Sequence, residues 1–122
     1  MWRVLDRIEL IRRVILSKLR ITGETTRALS LDPSRDDSGY FVLRFYLDGD
    51  YIDVYELLDS GQILRYSYAL IHGGKRVLGY DNAPHHPEIY TYPHHKHYEN
   101  QVLPLENPSI ESFIEEVSQY LA

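Results

Sequence analysis

The 122-residue sequence contains no cysteine, one methionine and one tryptophan. Without cysteine there are no disulfides, thiolate zinc sites, iron–sulfur clusters or cysteine nucleophiles. No apolar run approaches the roughly 20 residues of a membrane-spanning helix. The opening MWRVLDRIELIRRVIL is charged throughout, so it lacks the uninterrupted apolar stretch of a secretory signal. Lys and Arg are outnumbered by carboxylates, 13 to 18, for a net charge of −5. The chain as a whole therefore has no basic excess. What it has is the composition of a globular domain, 43% hydrophobic and 25% charged. One domain, residues 1–122, without a membrane partner and located in the cytoplasm, is the expectation.

The charge is unevenly spread. Residues 1–27 hold seven Lys/Arg against three carboxylates, whereas residues 98–122 hold five carboxylates and no Lys or Arg. Phosphate contacts depend on local charge, so a polyanionic partner is compatible with the acidic total. Mutual attraction of the two ends explains the same asymmetry without any partner.

Val4, Leu5, Ile8, Ile11, Val14, Ile15 and Leu19 recur at spacings of three and four, which predicts an amphipathic helix over about 2–19. Strands are expected within about 20–81, punctuated by a loop at 32–39 and by Asp48-Gly49, Ser60-Gly61 and Gly73-Gly74. In the second of the clear strands Ile52, Val54, Glu56 and Leu58 share one face. Residues 82–108 contain five of the six prolines and read as a structured His/Pro-rich loop. A second helix is expected over about 109–121, with Asn107 as N-cap and Pro108 at the first helical position, or with Ser109 or Ser112 as the cap. The predicted fold is α+β: an antiparallel β-meander of four or five strands with an N-terminal and a C-terminal helix. Both helices are expected on one sheet face, leaving the other partly free.

Five of the six histidines, His85, His86, His94, His95 and His97, lie within thirteen positions, and Pro-His-His occurs twice, at 84–86 and 93–95. Histidine titrates near neutrality, transfers protons and binds borderline metals. The cluster therefore admits three uses. In one, two histidines act as general acid and base on an RNA phosphodiester, with Lys96 assisting. Arg12 and Arg13 of the basic helix would then hold the backbone, and Tyr80, Tyr90 and Tyr92 would stack bases. In another, His86, His95 and His97 bind zinc or another divalent cation, joined by Asp81 or Glu88. His95 and His97 share a face if that tripeptide is extended. In the third, the rings are structural and bond loop carbonyls. His72, alone before Gly73-Gly74, reads as a turn residue.

Tyr80–His97, YDNAPHHPEIYTYPHHKH, resembles the signature of the TumE-type toxins of prokaryotic toxin–antitoxin modules. The runs Asp81–Pro87 and Pro93–His97 carry the resemblance; Tyr92 stands where members commonly have Phe. The resemblance implies a growth-inhibiting toxin neutralised by a cognate helix-turn-helix antitoxin. Together with the residue chemistry it leads to a type II toxin acting as a ribonuclease through its histidines, without a cofactor. The alternative is a non-catalytic module that uses them to hold a metal or a protein. A homodimer is compatible with either. The antitoxin surface is expected on the basic first helix or at an exposed sheet edge.

Overall fold

The helical spacing of Val4, Ile11 and Ile15 takes effect in the computed structural model, which describes residues 1–122. These residues form the buried stripe of α1, Val4–Lys18. Seven strands follow: β1 (Gly23–Asp32), β2 (Arg35–Leu47), β3 (Asp50–Asp59), β4 (Gln62–His72), β5 (Lys75–Asp81), β6 (His95–Tyr98) and β7 (Gln101–Pro104). Helix α2, Ile110–Leu121, closes the fold. The sheet order is β1 to β7, and every adjacent pair is antiparallel.

Seven strands replace the expected four or five, and the sheet is not a simple meander of tight turns. Residues 82–108 are not one loop. A long connection separates β5 from β6, and β6 and β7 then form a short hairpin. The prolines permit this because they flank the strands. Pro93 precedes β6, and Pro104 ends β7, an edge strand where a missing N–H costs nothing. The loop expected at 32–39 contracts to a turn in which the Asp32 carboxylate accepts from Ser34 N at 2.8 Å, and strand structure resumes at Arg35. At α2 the cap is Ser109, not Asn107. Its hydroxyl accepts from Ser112 N at 3.1 Å, which satisfies one of the orphan donors of the first turn.

Strand alternation divides the sheet into a covered and an open face. Phe41, Leu43 and Phe45 of β2, Ile52 and Val54 of β3, and Tyr68 and Leu70 of β4 point to the covered face and are buried. Ile110, Phe113, Ile114 and Val117 of α2 pack there, with the Phe113 ring 5.7 Å from Tyr68 and 5.1 Å from Tyr80. Each such aliphatic or aromatic side chain contributes about 1.5–3 kcal/mol of transfer free energy, which fixes both helices to this side.

Glu56 breaks the apolar pattern of that face and is completely buried. Arg7 of α1 meets it with a bidentate pair, Nε to Oε1 at 2.8 Å and Nη2 to Oε2 at 2.9 Å, and the Tyr68 hydroxyl donates to Oε2. Arg7 is therefore a core residue and does not belong to the basic surface of α1.

Candidate active site

The open face is where the histidines gather. Sheet register sets Ser67 opposite Asp81 and Asp81 opposite His95, while Gly79 faces His97 on the next row. Alternation along β6 puts His95 and His97 on the open side and turns Lys96 to the covered side. The long β5–β6 connection brings His86 back over this row. Its ring lies 4.9 Å from that of His95 and 6.1 Å from that of His97, and the His95 and His97 rings are 4.9 Å apart.

Asp81 organises the cluster. Its Oδ1 lies 3.0 Å from His95 Nε2 and its Oδ2 lies 3.3 Å from His97 Nε2. The carboxylate thus faces Nε2 of His97, and Nδ1 of that ring has no hydrogen-bond partner. His95 Nδ1 donates to the carbonyl of Pro93 at 3.1 Å, so both nitrogens of this buried ring face acceptors. Burial, followed by the charge of Arg76, pushes the pKa of His97 below its ordinary value, with Asp81 pulling the other way.

These groups line a cavity of about 580 Å³ together with His85, Tyr55, Arg65 and Arg76. Arg65 and Arg76 form no ion pair with any carboxylate, unlike Arg7, Arg35 and Arg44. Arg65 has only a long contact, 3.5 Å, to the Asn82 carbonyl. Gly79 makes room for Arg76. A Cβ at position 79 would lie 3.1 Å from Arg76 Cδ, so the glycine lets that side chain lie across the sheet beside His97.

The other residues singled out in the sequence are dispersed. Lys96 Nζ is bonded to Glu116 of α2 at 3.1 Å, on the covered side. Tyr80 is buried on that side too, and its hydroxyl donates to Glu116. His94 stacks on Tyr66 and is hydrogen-bonded through Nδ1 to its hydroxyl at 2.8 Å; burial, then the His95 charge, lowers the His94 pKa. Tyr90 and Tyr92 are exposed on the connection, with Tyr90 donating to Glu106. Arg12 is engaged by Glu24 and Glu9, and Arg13 is exposed, both on the helix that covers the opposite face. His72 lies at the end of β4, with Nδ1 2.6 Å from Asp50. Arg65, Arg76 and Tyr55 had no place in the motif reading. Alternation within β3 and β4 signals Tyr55 and Arg65, which stand opposite the buried Val54/Glu56 and Tyr66/Tyr68 positions; Arg76 had no such signal, because the β4–β5 register shifts beside it.

Fold and site together define a small α+β protein with a histidine–carboxylate centre on an uncovered sheet face. Residues 8–121 match the family model described as Toxin TumE. The chain belongs to the TumE family of toxins of toxin–antitoxin modules. No curated protein and no solved structure matches it. No helix is long and apolar enough to cross a membrane.

Proposed function

We propose that this toxin cleaves single-stranded RNA by metal-independent general acid–base catalysis on the open sheet face. The observation that carries the reading is Asp81 bridging His95 and His97, with His86 across from them and two unpaired arginines in the same cavity. His97 is the base: with Nε2 turned to the Asp81 carboxylate, Nδ1 is the nitrogen left for the substrate proton, and burial favours the neutral ring. It takes the proton of the 2′-hydroxyl as that oxygen attacks the adjacent phosphorus. His86 is the acid and protonates the departing 5′-oxygen, leaving a 2′,3′-cyclic phosphate and a 5′-hydroxyl. His95, held between Pro93 and Asp81, is a positioning residue. Arg65 and Arg76 oppose the charge that builds on the phosphoryl oxygens. The antitoxin would act by covering this face or by distorting it.

A second reading rests on one measurement: the nearest ligand atoms of His86, His95 and His97 lie within 4.8 Å of one another. Zinc or another divalent cation bound there would take Asp81 as a fourth ligand or displace it from His95. The two readings predict different products and different responses to chelator. End-labelled single-stranded RNA incubated with purified toxin in EDTA is expected to yield 2′,3′-cyclic phosphate ends. His97→Gln and His86→Gln are each expected to slow the reaction by about 10²–10⁴-fold. Cleavage that stops in EDTA and leaves 5′-phosphate ends would replace acid–base catalysis with the metal reading. RNA that stays intact under every condition would overturn both.

A further inference from the structure

The histidine centre occupies only one side of the open face, and the rest of that face has no covering element. Both helices pack on the other side. Its floor is small: Ser67 and Ala69 of β4 and Gly79 of β5 stand in adjacent register positions, with the His95/His97 pair beyond them. On the side of this floor away from the imidazoles, Tyr46 of β2 and Tyr51 and Tyr55 of β3 stand on the open face. The tyrosines are not equivalent. Tyr51 is already covered by the Arg44 guanidinium, 3.9 Å from the ring centroid, and that guanidinium is held by Asp53 at 2.7 and 2.9 Å. Tyr46 packs on Tyr51 at 6.4 Å. Tyr55 has no aromatic partner and no cation over it, and it lines the cavity that contains the histidines.

From this arrangement we infer that the open face is the binding track for single-stranded RNA, with Tyr55 as the stacking platform for a base close to the scissile phosphate. The inference rests on the RNA reading above and adds the substrate path to it. Charge is the second support. Arg65 and Arg76 are cations without carboxylate partners, on the two strands between Tyr55 and the histidines and lining the same cavity. Unpaired cations beside a free aromatic ring match a polymer that carries both phosphates and bases. A duplex hides its base faces, whereas a single strand offers them to a sheet surface. Three strand spacings of about 4.8 Å separate the backbones of Tyr55 and His95, and both side chains reach into the intervening cavity, so a ring stacked at Tyr55 leaves its neighbouring phosphate within reach of the imidazoles.

The test separates binding from cleavage by using a short 2′-O-methyl oligonucleotide, which lacks the attacking hydroxyl. Fluorescence anisotropy of the intact toxin is expected to show Tyr55→Ala weakening Kd by roughly 5- to 150-fold, the effect of losing one stacked base. Tyr55→Phe is expected to bind like the wild type, since stacking needs the ring and not the hydroxyl; it also controls for folding, as does Tyr55→Leu, which keeps an apolar side chain on the strand. Arg76→Gln is expected to reduce the slope of log Kd against log salt by about 0.7, the value for one lost phosphate contact on a single strand. Wild-type affinity in folded Tyr55→Ala would overturn the track while leaving cleavage untouched. Binding that depends on Tyr55 in a toxin that cleaves nothing would uphold the track and remove the catalytic reading. Loss of antitoxin affinity in Tyr55→Ala, with oligonucleotide affinity intact, would assign the face to the protein partner and also overturn the track.

Discussion

The two faces of the sheet each hold a carboxylate within a cluster of polar groups, and the clusters are built differently. On the covered face, Glu56 receives two hydrogen bonds from Arg7 and one from Tyr68, and no polar side-chain atom buried there lacks a partner. On the open face, Asp81 holds two imidazoles, yet Arg65 and Arg76 nearby have no counter-charge and Nδ1 of His97 has no hydrogen-bond partner. A cluster whose members satisfy one another supports the fold. One that leaves cations and a ring nitrogen unpartnered beside a cavity is prepared for something from outside.

Breaking the covered cluster gives the largest expected effect. Arg7→Leu leaves the Glu56 carboxylate buried with only the Tyr68 hydroxyl, at a cost of about 3–5 kcal/mol, read as a fall in the urea midpoint. Arg76→Gln on the open face sharpens the contrast. Nothing in the fold depends on that charge, so stability is expected to stay within about 0.5 kcal/mol. RNA cleavage is expected to fall about 10²-fold, or about 2.7 kcal/mol of transition-state stabilisation. If Arg76→Gln instead unfolds the protein while cleavage per folded molecule is unchanged, the distinction between the faces fails.

A smaller effect comes from pH. His97 and His94 have pKa values lowered in the folded protein, chiefly by burial. The unfolded chain therefore binds these protons more readily. Their contribution to stability is complete above the unfolded value of about 6.5 and is lost as pH falls through the lower folded values. Urea midpoints measured at pH 7.5 and at pH 5.5 should show lower stability at the acidic pH, and the difference should shrink in His97→Gln. An unchanged midpoint difference in that variant would mean that the loss arises elsewhere.

The helices and strands β2 to β5 were legible because their signals are local: helical spacing in α1 and α2, and turn residues at Asp48-Gly49, Ser60-Gly61 and Gly73-Gly74; β1 was not, because its pattern is weak and residues 32–39 read as a loop. The histidine cluster was legible as composition. Its geometry was not, because proline content made residues 82–108 read as loop, and prolines at strand ends look in sequence like prolines within strands. Without β6 there was no register, so Asp81 could not be placed opposite His95. The buried ion pair was hidden for another reason. Glu56 and Arg7 are 49 positions apart, and each taken alone reads as one charge in an amphipathic pattern.

Lys96 is where a local signal was available and adjacency in sequence outweighed it. If His95 and His97 share one face of an extended tripeptide, the residue between them points to the other. The structure follows that geometry: Lys96 pairs with Glu116 of α2, and its side chain is 22% exposed. A pair of this kind, still reached by solvent, contributes about 1 kcal/mol. Lys96→Ala is therefore expected to lower the urea midpoint slightly and to leave both RNA cleavage and growth inhibition at wild-type levels. Its effect should disappear in a Glu116→Gln background, because the same contact is then already lost. A fall in cleavage as large as that of Arg76→Gln, with the fold intact, would mean that charge reaches the histidines from the covered side and that the two faces are not independent.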